Sequence, residues 1–278
     1  PNPESPIPNH EPMNRIDTRF AQLKAANRTG LIPFITAGDP SIESMVQVMH
    51  ALVAAGADVI ELGVPFSDPM ADGPVIQLAS ERALARGVGT AQVFEMVRGF
   101  RRDDADTPVV LMGYLNPVEI YGMARYAKDA AEAGVDGLLL VDLPPEEADE
   151  AHAVLESAGL HPICLAAPTS GAERLGRLMQ AGRGYLYYVS FAGVTGAAHL
   201  QVDAVRAQVA AIKALGELPV AVGFGVRDGE SARRIGEIAD AVVIGSALVQ
   251  AMAEADSPED AARRARDFLA PIRAALDA

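Results

Sequence analysis

Two carboxylates stand where a reaction could use them. Glu61 sits inside the apolar run Val59-Ile60-Glu61-Leu62-Gly63, and the following segment, from Val64 to Pro74, is dense in proline, glycine and acid. A short apolar run between turn signals reads as a buried strand. Burying a carboxylate is costly unless it is paired or protonated. In an apolar pocket its pKa rises toward neutrality, where one group can both give and take a proton. Asp72, in Ala71-Asp72-Gly73-Pro74, is expected to stay ionised and to accept a hydrogen bond from a substrate N–H or O–H. The plainer alternatives are an ion pair with Arg or Lys for Glu61 and a turn-forming role for Asp72.

A second group of residues suits an anion rather than a proton. Gly223-Phe224-Gly225 lets backbone N–H groups approach a ligand, and Gly245-Ser246 opens a helical pattern. The free N–H groups and dipole of a helix start favour phosphate. Gly193-Val194-Thr195-Gly196 is another glycine-bounded turn. Aromatics are scarce, at 5% of the chain, so their places matter. Phe34, Tyr114, Tyr187 and Phe224 all fall within or just after apolar runs; Phe224, between two glycines, is the least like a core residue, and a flat apolar substrate would use such a ring as a wall. Tyr187 and Tyr188 are adjacent in one run, so only one can face inward. The five histidines show no ligand spacing. No metal and no organic cofactor is indicated.

These residues need a scaffold, and the chain supplies one by alternation. Eight apolar runs, at 31–36, 58–62, 108–112, 137–141, 161–165, 184–190, 219–222 and 241–244, are each followed by helical patterns. The helical stretches fall at about 41–55, 75–86 with 91–102, 117–133, 145–158, 171–181, 202–215, 229–238 and 247–276. Such alternation implies parallel pairing with right-handed crossovers. Strands this apolar lack a wet face, as parallel sheets require. The expected fold is α/β: a single (β/α)8 TIM barrel with an extra N-terminal segment or helix, over residues 14–278. Residues 1–13, rich in proline, read as a disordered lead. An open doubly wound sheet is the alternative, but no Gly-x-Gly-x-x-Gly follows the first run. Active sites of barrels lie at the C-terminal ends of the strands. Glu61, Asn116, Asp142, Gly196, Gly225 and Ser246 fall there.

Composition narrows the function classes. With 278 residues and 50% hydrophobic content, the chain can bury a large core. A formal charge of −14 argues against binding nucleic acid or an anionic membrane. The one cysteine, Cys164, excludes an intramolecular disulfide and fits a reducing, cytoplasmic compartment.

Taken in order, the motifs resemble one family. Leu31 to Pro40, Glu61-Leu62-Gly63-Val64-Pro65-Phe66-Ser67-Asp68-Pro69 with Ala71-Asp72-Gly73-Pro74, Gly193–Gly196, Gly223–Gly225 and Gly245-Ser246-Ala247 are similar to the signatures of the tryptophan synthase α-subunit family. The resemblance covers about residues 14–275. It implies retro-aldol cleavage of indole-3-glycerol phosphate to indole and glyceraldehyde 3-phosphate, a carbon–carbon lyase reaction. Glu61 would move the proton at indole C3 and Asp72 would bind the indole N–H. Phe34, Met112, Tyr187 and Phe224 would line the indole pocket, with Tyr187 counted among the catalytic groups. Gly196, Gly225, Gly245 and Ser246 would hold phosphate. Thr195 would belong to a closing lid and meet Asp72. The resemblance also implies a pyridoxal-phosphate β subunit that receives the indole in an α2β2 heterotetramer. Asp68 and Asn116 would face it, and this chain would carry no cofactor. The rival readings are a free-standing lyase, a silent regulatory subunit and another phosphate-binding barrel enzyme.

Overall fold

Among the described residues, nine short strands form one parallel sheet: β1 Gly30–Thr36, β2 Ile60–Gly63, β3 Val109–Gly113, β4 Gly137–Leu140, β5 His161–Pro162, β6 Cys164–Ala166, β7 Leu186–Val189, β8 Val220–Gly223 and β9 Ala241–Ile244. The computed structural model describes residues 13–189, 198–223 and 225–278, and in the helix that begins at Ala198 the side chains from Ala204 onward. The lateral order is β5-β4-β3-β2-β1-β9-β8-β7-β6. Its two ends, β5 and β6, are separated in the chain by Ile163 alone, so the sheet closes into a barrel. The single fifth strand expected over 161–165 is thus two pieces: β5 pairs with β4 and β6 pairs with β7. The break falls at Ile163, directly after Pro162, which has no N–H for a ladder. Two expected helices are also divided. Gly122, at φ +91°, separates Leu115–Tyr121 from Met123–Ala133. Ser257 caps a new helix, Pro258–Leu276, after the short Ser246–Met252.

Alternation along the strands sorts the core into two layers. Ile32, Val59, Val110, Leu139, Tyr185, Tyr187 and Val243 fill the barrel interior. Leu31, Ile60, Leu111, Leu138, Leu186, Tyr188 and Val242 pack outward with the helices. Of the adjacent tyrosines, it is therefore Tyr187 that faces inward.

The extra N-terminal element is the helix Arg15–Ala25, whose Ile16, Phe20 and Leu23 join the interior cluster and plug the lower end. Asn14 fixes its angle, capping Ile16 N–H at 2.9 Å and donating to the Asp136 carbonyl at 2.9 Å. At the same end three aspartates repeat one device. Asp58, Asp136 and Asp240 each precede a strand and accept the backbone N–H of Leu31, Val109 and Val220 on the neighbouring strand, at 2.8–2.9 Å. This end is built for stability, which leaves the opposite mouth free for chemistry. There Arg82 holds Asp39 bidentately at 2.7 and 2.8 Å. That pair fastens the loop after β1 to the helix Pro74–Ala85, which begins two residues after Asp72. Residues 1–12, nearly all of the proline-rich lead, lie outside the described residues.

Candidate active site

Glu61 is fully buried, 0% exposed, on the inner face of β2. Its Oε1 accepts a hydrogen bond from the Tyr185 hydroxyl at 2.6 Å. Its Oε2 has no partner among the described residues. No Arg or Lys among the described residues pairs with it, so the ion-pair alternative does not hold. Burial raises its pKa to about 7, with the Tyr185 bond pulling the other way. That is the behaviour of a proton carrier: the acid and its anion are both available near neutrality, and one oxygen is unengaged. Tyr185 is itself buried and packs against Phe20 of the plug helix, with ring centroids 5.6 Å apart. The plug thereby fixes the ring that orients the acid.

Asp72 is half-buried at the mouth. The Tyr114 hydroxyl donates to its Oδ2 at 3.1 Å and accepts the N–H of Ala71 at 3.0 Å. Gln77 donates to the Asp72 carbonyl at 2.9 Å. One tyrosine thus holds both the carboxylate and the backbone beside it. Asp72 is a turn residue too, its N–H bonded to the Pro69 carbonyl at 3.0 Å, so the two readings coexist. Burial raises its pKa while the Tyr114 bond opposes that rise.

Phe34 forms the wall between the carboxylates and the far side of the mouth. It is paired in register with Glu61 and clusters with Ala79, Val249 and Met112. Gly63 leaves the room it needs, since a Cβ there would lie 2.5 Å from Phe34 Cζ. Gly63→Ala is therefore expected to destabilise the fold by about 1–3 kcal/mol. It should also raise KM by tilting the ring into the pocket, as thermal melts and steady-state kinetics would report. Tyr187 stands across the interior. Burial raises its pKa, with the negative charges of Glu61 and Asp72 adding to that rise.

Gly225, at φ +53°, and Gly245 end adjacent strands, and Ser246 starts the helix Ser246–Met252. Gly225 and Ser246 are exposed. The first backbone bond of that helix runs from Val249 N–H to the Gly245 carbonyl at 3.0 Å. The N–H groups of residues 246–248 have no intrahelical acceptor and can take an anion.

The family model described as tryptophan synthase alpha chain matches residues 20–276. The chain belongs to that family. It is 61% identical over 266 residues to the tryptophan synthase alpha chain of Xylella fastidiosa, covering 96% of this chain and 99% of that one. It is 63% identical over 268 residues to that of Laribacter hongkongensis, covering 96% and 100%. The crystal structure of tryptophan synthase subunit alpha from Legionella pneumophila superposes with a TM-score of 0.89 at 48% identity, covering 95% and 99%.

Of the residues in the sequence reading, Phe34, Asp72 and Met112 line one small cavity at the mouth, Glu61 is paired in register with Phe34, Tyr187 belongs to the interior cluster, and Gly245 lies beside Phe34. Asp68 is exposed on the loop after β2, whereas Asn116 is exposed in the first turn of the helix Leu115–Tyr121 rather than on a loop, and the Ser67 hydroxyl donates to Asp68 at 2.5 Å. Thr195, Gly196 and Phe224 lie outside the described residues. The sequence reading gave no role to Tyr185 and only a place to Tyr114. Period-two alternation from Tyr187 points to Tyr185 as an interior residue, but nothing local points to its partner.

Proposed function

We propose that Glu61 and Asp72 carry out the family's reaction in this chain, the cleavage of indole-3-glycerol phosphate to indole and glyceraldehyde 3-phosphate. The observation that carries the proposal is the buried, half-engaged Glu61 with a pKa of about 7. In its acid form Glu61 delivers a proton to indole C3. Positive charge then appears on the ring nitrogen, where Asp72 accepts the N–H and stabilises the cation. The bond from C3 to the glycerol chain breaks, and its electrons restore the indole ring. The alcohol on the released carbon becomes an aldehyde, and its proton returns to the Glu61 carboxylate. Protons balance and the acid is regenerated. The backbone N–H groups at Gly225, Gly245 and Ser246 hold the phosphate without a full positive charge, which suits so acidic a chain. The deciding experiment is a direct assay for indole released from indole-3-glycerol phosphate by the purified chain. Absence of release, with and without a β subunit, would sink the reading.

The indole passes to a pyridoxal-phosphate β subunit in an α2β2 assembly, and the chemistry of this chain rests on its own side chains. Support for the partner comes from the mouth itself. Met70 and Ile120 are 85% and 80% exposed, beside exposed Asp68 and Asn116. Large apolar side chains grouped at a functional rim suit a protein interface. Ile120→Glu is expected to weaken association with a β subunit by about tenfold or more. Light scattering or a titration of β-subunit activity would measure this, with the thermal melt unchanged. We place the enzyme in the cytoplasm. Cys164 is buried and free, as a reducing compartment allows, and no helix among the described residues is long and apolar enough to cross a membrane.

A further inference from the structure

Thr36 ends β1 and is only 2% exposed, yet its Oγ1 has no hydrogen-bond partner among the described residues. A buried hydroxyl left unpaired is costly, so it calls for a partner that the described residues do not supply. The side chain is on the interior face, in step with Ile32 and Phe34, while Leu31 and Ile35 pack outward. It lines a small cavity together with Phe34, Gly63, Asp72, Met112 and Tyr114. The orphaned hydroxyl therefore belongs to the active-site mouth.

Its position along the barrel selects the ligand atom. β1 lies between β2, which carries Glu61, and β9, which leads into Gly245 and Ser246. A substrate with its ring at Glu61 and its phosphate at Gly245 must pass over the end of β1. Thr36 pairs in register with Gly63, two residues beyond Glu61, so it stands about 7 Å nearer the mouth. Gly63 and Gly245, on either side, have no side chains to come between Thr36 and the bound chain.

We infer that Thr36 is a substrate-binding residue whose hydroxyl donates a hydrogen bond to the glycerol alcohol on the carbon attached to indole C3. Donation to that oxygen leaves the alcohol's own proton for Glu61. The same oxygen remains an acceptor as it becomes the aldehyde carbonyl, so the bond persists through cleavage. Thr36 thereby selects for a hydroxylated chain at this carbon, since an analogue lacking the alcohol leaves the threonine unpaired as before.

Thr36→Val keeps the shape and removes the donor. It is expected to lower kcat/KM by about ten- to a hundredfold, the usual effect of leaving a bound hydroxyl without its partner. Indole-3-propanol phosphate, which lacks the alcohols, should bind the variant and the wild type equally, within about twofold. The melting temperature should hold or rise, because no internal bond is lost. Thr36→Ser should recover most of the activity. Unchanged kcat/KM in the valine variant would overturn the inference. So would a parallel loss of affinity for the propanol analogue, because the hydroxyl would then be acting on the fold. Comparing Thr36→Ala with Thr36→Ser makes the same test in a smaller side chain if the valine variant does not fold. The inference rests on the lyase reading. A wild-type chain that releases no indole sinks that reading, whereas an active wild type with an unaffected Thr36→Val sinks only this one.

Discussion

Glu61→Gln is expected to abolish indole release, lowering kcat by about a thousandfold or more, while making the protein more stable at alkaline pH. The kinetic half follows from chemistry. An amide of nearly the same shape can still accept the Tyr185 hydroxyl bond, but it has no proton to deliver to C3 and no anion to take one back. The stability half follows from linkage. The ordinary glutamate pKa of 4.5 becomes about 7 in the folded protein, through burial. Between those values the folded state holds a proton that the unfolded state has released. Stability therefore falls as pH rises through that window, and the loss is complete above about pH 7. Glutamine never ionises and escapes the loss. Wild type and Glu61→Gln should be closely matched near pH 5, and the variant should gain on the order of 3 kcal/mol by pH 8.5. Urea unfolding at the two pH values, with an indole assay on the same preparations, tests both halves. Parallel pH profiles for the two proteins would show that Glu61 is not the buried acid described.

How much of this site could be read from the chain depends on how far apart the interacting groups lie. Glu61 is legible locally, because a carboxylate inside an apolar strand is anomalous whatever surrounds it. The proposed phosphate rim has a local signal too, in glycines that follow adjacent strands. Tyr185 is not legible in this way, because it lies 124 residues from Glu61 and meets it only across a closed barrel around a plugged core. Tyr114 likewise reaches Asp72 across 42 residues, joining the loop after β2 to the helix after β3. Thr36 is hidden for another reason. A threonine in a strand is ordinary, and only its lack of a partner marks it. In the fold, the eight-run alternation carried the architecture, while the breaks after Pro162 and at Gly122 had local causes that an averaged pattern overlooks. The plug helix shows the same limit: its amphipathic face is visible in sequence, its place beneath Tyr185 is not.

Asp72→Asn is expected to lower kcat by about a hundred- to a thousandfold with little change in KM. In the ground state the indole N–H needs only an acceptor, and an asparagine carbonyl oxygen serves. Once C3 is protonated the nitrogen carries positive charge, and only a carboxylate answers it with a full negative charge in a site partly shielded from water. The interaction strengthens on the way to the transition state, so its loss appears in kcat. The group must be ionised to act. Burial raises its pKa, and the Tyr114 hydroxyl bond opposes that rise. Activity should therefore fall on the acid side as Asp72 takes up a proton. Tyr114→Phe, which removes the opposing bond, should shift that acid limb to higher pH, and the Asp72→Asn enzyme should lose the limb from its residual activity. Profiles of kcat against pH for the three proteins measure this directly. An effect of Asp72→Asn confined to KM would assign Asp72 to ground-state binding. An acid limb that moves to lower pH in Tyr114→Phe would mean that the tyrosine bond favours the protonated carboxyl instead.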